Sequence, residues 1–304
     1  MNQRTLSHIL AALLVLLTVP AHAALRVFAC EPEWGALARE LGGDLVDVTV
    51  ATSALQDPHQ IQAKPSLVAR TRNADLVVCT GAELEVGWLP VLLQQSGNAK
   101  VQPGQPGNFA AADFVRKLDL PNQLDRSQGD VHAAGNPHIQ TDPRRIGQVA
   151  MALSARLQQL DSAHAPAYAT RLKDFSQRWQ QAISRWSLQA APLKGVVVAS
   201  QHKSFVYMYG WLGLVEAAVL EPKPGVEPSA AHLQAVLASI KNPAPRMTLY
   251  AAYQDPKAAQ WLNRNAGVPA VKVPFTVGGT DGAKDLFGLF DDTLSRLLTA
   301  LARS

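Results

Sequence analysis

At 304 residues, 47% of them hydrophobic, the chain is long enough for two ordinary domains with buried cores. Its formal net charge of +4 comes without any cluster of Lys and Arg interleaved with aromatics. That excludes a dedicated nucleic-acid surface and argues against a polyanionic partner.

The N-terminus reads as a secretory signal peptide, residues 1–23. Arg4 supplies the positive charge, Ile9 to Val19 the apolar run, and Ala21-His22-Ala23 the small-x-small site, with cleavage after Ala23. The run is shorter than the roughly 20 apolar residues of a spanning helix, and no later stretch approaches that length. The mature chain is expected to be soluble and exported.

From Ala24 strands and helices alternate. Leu25 to Cys30 predicts a short strand, and Trp34, Leu37 and Leu41 mark one face of a helix that Gly42-Gly43 ends. Leu45 to Val50 predicts a second strand, which leads into Asp57-Pro58-His59. A helix over Ser66 to Arg72, a strand over Asp75 to Cys79 and a helix over Glu83 to Gln95 follow. Strands filled by Val and Leu between helices predict an α/β fold with parallel sheet covered on both faces. Cys30 and Cys79 fall at matching strand ends, so they either bridge or remain two buried thiols.

Residues from about Gln102 to Gly135 are rich in Pro, Gly, Asn and Gln and read as loop with one short strand or helix. Asp142 then caps a helix with Pro143 at its first position and a stripe of Ile146, Val149, Leu153, Leu157 and Leu160. A longer pattern from Pro166 carries Tyr168, Leu172, Phe175, Trp179, Ile183 and Trp186. It is either a rigid connecting helix or a helix packed within one larger domain. After Pro192 the alternation restarts. Strands are expected at Val196 to Ser200, Val215 to Leu220, Met247 to Ala251 and Ala270 to Phe275, with helices at Ser204 to Trp211, Ser229 to Lys241 and Asp255 to Ala266. A last helix carries Leu286 to Leu301.

Ligands of open α/β sheets bind beyond the carboxyl ends of strands, where loops converge. His59, His202 and Asp281 all fall there, and Asn136-Pro137-His138 repeats the Pro-His device of residues 58 and 59. One loop histidine is ordinarily a solvated side chain. Three on separate loops, two of them stiffened by a preceding proline, are the pattern of a shared metal. Imidazoles with a carboxylate suit tetrahedral Zn2+, although Cu2+, Ni2+ or Co2+ would accept the same donors. HExxH, GxSxG and P-loop motifs are absent, and Glu83 and Glu85 have no evident acid-base partner, so no enzyme is announced.

Five stretches, DPHQIQAKPS at 57–66, ADLVVCTGAELEVGWLP at 74–90, NPHIQTDP at 136–143, SQHKSFVYMYGWLGL at 200–214 and EPSAAHLQAV at 227–236, share an order. The chain thereby resembles the metal-specific periplasmic solute-binding proteins of ABC transporters, which deliver zinc, manganese or iron to a membrane permease. The resemblance spans nearly the whole mature chain. It implies two βα lobes with parallel sheets, residues 24–163 and 191–304, joined by a long rigid backbone helix at 164–190, with the metal between the lobes. His59, His138 and His202 match the family's three histidine ligands. Relatives usually place an acid directly after the last strand of the second lobe. Here the nearest is Asp281, beyond Gly278-Gly279; it is the expected fourth ligand, with Glu31, Glu33 and water as alternatives.

Zinc-specific relatives often carry a His- and Asp-rich loop, where this chain has only Asp130 and His132. His132 either assists the site or is an ordinary loop residue, and His164 and His232 read as structural or surface. The function so implied is periplasmic capture of a transition metal as cargo, Zn2+ ahead of Mn2+ because Mn2+ prefers more oxygen donors. Its partner is an ABC-transporter permease, with a metallochaperone as an optional further one and the protein itself a monomer. A manganese- or iron-binding member of the family is the alternative; from other classes come an exported zinc hydrolase and a metal-binding adhesin.

Overall fold

A computed structural model describes residues 23–121, 132–240 and 242–303. The signal-peptide reading of residues 1–22 and Asp130 lie outside these residues. In the first half, β1 (Leu25–Ala29) pairs with β2 (Val46–Val50) on one side and β3 (Leu76–Cys79) on the other, and β4 (Asn108–Ala110) follows β3, all parallel. Side chains of a strand alternate between faces. Val27 and Ala29 accordingly enter the central core, whereas Phe28 and Cys30 enter a separate cluster with Val77, Cys79 and Trp88. Cys30 and Cys79, at the ends of the adjacent β1 and β3, form a disulfide with Cα atoms 4.8 Å apart.

α1 (Pro32–Gly42) starts on a proline, whose missing N–H costs nothing in a first turn, and buries Trp34, Leu37, Ala38 and Leu41. Gly43 ends it with φ +56°, a left-handed backbone that a side chain would strain. α2 (Pro65–Asn73) and α3 (Leu89–Ser96) cover the outer face. One sequence expectation changes here. The helix expected from Glu83 begins only at Leu89, because Gly81, Ala82 and Glu83 all have positive φ and residues 81–88 form successive turns. Within the Gln102 to Gly135 stretch, Asn108–Ala110 completes the sheet, and three residues are too short to carry a readable period.

The second half repeats the plan. β5 (Val197–Ser200), β6 (Val215–Val219), β7 (Met247–Ala251) and β8 (Ala270–Val273) form a parallel sheet in the order β6-β5-β7-β8. Its helices are α6 (Val206–Leu212), α7 (Ala230–Ser239), α8 (Lys257–Ala266) and α9 (Leu286–Leu301).

Between the halves run α4 (Pro143–Leu160) and the 25-residue α5 (Ala165–Gln189). Asp142 caps α4 by accepting from the Arg144 N–H at 2.9 Å. α5 carries the aromatic ladder Phe175, Trp179 and Trp186, which meets Phe287 and Phe290 of α9. Both indoles are satisfied, Trp179 by the Pro143 carbonyl at 2.8 Å and Trp186 by Asp291 at 2.6 Å. One hydrophobic core runs from Val27 of the first sheet through α5 to Leu249 of the second and Leu297 of α9. Two sheets thus lean on one helix, with the carboxyl ends of their strands toward the interlobe space. Among the described residues no helix is long and apolar enough to cross a membrane.

Candidate metal centre

His59 leaves the loop after β2, and three contacts fix it. The Trp88 indole donates to the Pro58 carbonyl at 2.9 Å, while Asp57 Oδ1 accepts from the His59 backbone N–H at 3.0 Å and lies 2.7 Å from the ring Nδ1. With Nδ1–H donated to Asp57, the opposite nitrogen, Nε2, presents its lone pair, and it is buried without a hydrogen-bond partner. Burial pushes the Asp57 carboxyl up, but its hydrogen bonds to His59 and the His59 charge outweigh that and hold it below the ordinary range.

His202 follows β5 and is oriented the same way. Its Nδ1 stands 2.6 Å from Glu221 Oε2, which also accepts from the Gly225 N–H at 2.9 Å. His138, 1% exposed, enters from the turn before α4, its backbone N–H donating to Asn136 Oδ1 at 3.0 Å. Asn136 ties the two lobes together, because its side-chain amide donates to the Lys203 carbonyl at 2.8 Å. The Tyr207 hydroxyl donates to the Asn136 carbonyl. The loops of His138 and His202 are thereby held in register across the interlobe boundary.

The three rings converge. Centroids lie 5.4 Å (His59 and His138), 5.5 Å (His138 and His202) and 5.8 Å (His59 and His202) apart. One nitrogen from each falls within 4.8 Å of the others, the spacing of donors around a single small cation. Burial, then the neighbouring His59, His202 and His132 charges, holds the His138 pKa well below the ordinary imidazole range. The ring is thus kept in the neutral form that ligates.

Asp281 lies apart from the three imidazoles. Asp281 is solvent-exposed and is not among the gathered donors. The reason is local: the Gly278 N–H donates to the Ala283 carbonyl at 2.6 Å, folding the chain into a tight turn, and Thr280 is tied to Asp292 on α9 at 2.6 Å. Phe275 takes the inward place instead, its ring 5.4 Å from that of His138. Glu31 and Glu33 are buried but bond elsewhere, to Thr80 and Thr276. His132 lies beside the trio, its ring 5.3 Å from that of His59 and 6.4 Å from that of His138, although it is not one of the three gathered donors. Its Nε2 is buried without a partner, and burial, then the charges of His59 and His202, lower its pKa to about 4. Glu83, accepting from the Ala133 N–H, anchors its loop. His164 bonds Asp161 at the head of α5, and His232 sits on α7; neither joins this group.

Residues 27–300 match the family described as ZnuA, zinc-uptake complex component A, periplasmic. The chain is similar to the manganese ABC transporter substrate-binding lipoprotein PsaA of Streptococcus pneumoniae, 20% identical over 244 residues, which are 79% of this chain and 76% of that protein. It is also similar to the zinc-binding lipoprotein AdcA of Streptococcus pneumoniae (strain ATCC BAA-255 / R6), 25% identical over 76% of this chain but spanning only 46% of AdcA. In fold it matches a crystal structure of ZnuA with a TM-score of 0.75 at 20% identity, covering 91% of this chain and 99% of the other.

Proposed function

Since this chain belongs to the ZnuA family of metal-specific solute-binding proteins of ABC transporters, we propose that it captures Zn2+ and hands it to a membrane permease. That membership makes it a binding protein and not the exported hydrolase weighed as an alternative. In this reading His59, His138 and His202 hold the ion, and His132 takes the fourth position expected of Asp281. Residues 24–163 and 191–304 are the two gripping lobes, spaced by the helix at 164–190. Export with cleavage after Ala23 places the monomeric protein in the periplasm.

The observation that carries the reading is the gathering of three imidazole nitrogens within 4.8 Å of one another, two of the rings backed by a carboxylate. A carboxylate on the far ring nitrogen fixes the tautomer and raises the basicity of the ligating one. Relatives of this chain include binders of zinc and of manganese, so donor chemistry must decide. An all-nitrogen shell favours Zn2+, because Mn2+ prefers oxygen ligands. The test is metal analysis of protein purified without added metal, followed by competition between Zn2+ and Mn2+. Zinc should win, with one equivalent bound. If His59→Ala, His138→Ala and His202→Ala each left stoichiometry and affinity intact, the assignment would be wrong.

A further inference from the structure

Behind the metal-binding loops lie three buried carboxyls. Glu31, Glu33 and Glu85 are 3%, 1% and 3% exposed, and the strongest influences on them are burial, one another and neutral hydrogen-bond donors. Glu31 and Glu85 converge on Thr80. Glu31 Oε2 accepts from the Thr80 hydroxyl at 3.0 Å and its N–H at 3.2 Å, and Glu85 Oε1 accepts from the same N–H at 2.7 Å. Glu33 reaches the other lobe, where the Thr276 hydroxyl donates to its Oε2 at 2.5 Å. Glu31 Oε1 and Gln140 Oε1 are both buried without a partner, and both side chains line one cavity with Glu33, Pro58, Tyr253 and Thr276.

The walls of that cavity belong to the metal-binding loops. Pro58 precedes His59, Gln140 follows His138 by two residues, and Phe275, next to Thr276, rests its ring on His138. The cover over Glu31 and Glu33 is therefore shared with the metal-binding loops. A hard cation is not what the chamber is built for, because the oxygens of Glu31, Glu33 and Glu85 do not gather as the three imidazole nitrogens do.

We propose that this chamber is a proton-binding site linked to metal occupancy: closing the ligand loops around a metal seals Glu31 and Glu33, and with them Glu85, which shares the Thr80 N–H with Glu31, from water, and their carboxylates take up protons from solvent. Releasing the metal wets the chamber and returns those protons. The proposal rests on the capture reading above. Facing groups support it. From the α1 side come Glu31 and Glu33, from the turns after β3 Glu85, and from the second lobe Tyr253, whose phenol burial keeps protonated. Burial raises Glu33 and Glu85 to about 7. It raises Glu31 well above the carboxylate range, helped by the charges of Glu85 and Glu33. A solvated Glu titrates near 4.3, so across the interval between, the sealed chamber holds protons that the wet one does not. The sign opposes that of the ligands, because imidazoles lose protons on taking a metal.

The experiment is calorimetric titration of Zn2+ into the metal-free full chain at pH 6.5, in buffers of different ionisation enthalpy, which yields the protons exchanged per zinc. Glu33→Gln and Glu31→Gln should bind zinc with wild-type stoichiometry yet each take up fewer protons, by as much as about one per zinc. The same proton number in wild type and both variants overturns the proposal. Failure of the wild type to bind zinc at all refutes the capture reading instead. Infrared difference spectra of the wild type cover variants that misfold. Zinc loading should strengthen the carbonyl band of protonated carboxylic acids, and no gain in that band overturns the proposal equally.

Discussion

Replacing Glu221 by Gln tests whether the carboxylates behind the imidazoles set metal affinity. Glu221 Oε2 lies 2.6 Å from His202 Nδ1, and the two side chains are 11% and 8% exposed, so the bond is charge-assisted and poorly screened. Gln keeps the volume and an oxygen for the Gly225 N–H, and removes only the charge that makes the ligating nitrogen more basic. Loss of such a partner typically weakens metal binding about 10- to 100-fold, or roughly 1.4 to 2.7 kcal/mol. The Asp57→Asn change should cost less, since Asp57 is 39% exposed and water already screens its bond to His59. Competition against a fluorescent zinc chelator at pH 7.5 reads both, and thermal melting of the metal-free variants checks that the fold survives. Affinities within twofold of wild type, or a larger loss from Asp57→Asn than from Glu221→Gln, would refute the reasoning.

Three further outcomes are expected. His132→Ala should weaken zinc binding measurably while Asp281→Ala leaves it unchanged; the reverse order in the same chelator assay would restore Asp281 as the fourth ligand. With zinc bound and the chamber sealed, wild type should lose stability relative to Glu33→Gln as pH rises from 5 to 8, read by scanning calorimetry of both at the same zinc excess. Glu33 has a folded pKa near 7, above its unfolded value, so the stability it contributes is complete below about pH 4.3 and lost as pH passes 7, at most roughly 4 kcal/mol. Converting Cys30 and Cys79 to Ala opens a loop closed at a sequence separation of 49, which chain entropy values at about 4 kcal/mol, and denaturant titration should show a lower midpoint by that measure.

The convergence of the histidines was legible because His59 and His202 each follow a strand, and position along a βα unit already says which end of the sheet a loop occupies, while His138 repeats the Pro-His pair of residues 58 and 59. The placement of Asp281 was not legible. It depends on a two-glycine turn that sends Asp281 outward and on Phe275 filling the inward place, and neither is a property of local pattern. β4 was legible only as one short strand or helix somewhere in 102–135, because Asn-Phe-Ala is too short to show alternation, and the turns at 81–88 read as helix because positive φ at Ala82 and Glu83 leaves no signature in residue type. Glu31 and Glu33 read as alternatives for the fourth ligand. That Glu33 meets a threonine 243 positions later is a fact of tertiary structure alone.

The shared core has a consequence for how the chain comes apart. The aromatic ladder of α5 packs on Phe287 and Phe290 of α9 and belongs to one core with the first sheet. Segments near opposite ends of the sequence thus complete the same packing, so a change that loosens either half removes support from the other, and the two halves are expected to unfold in one cooperative transition.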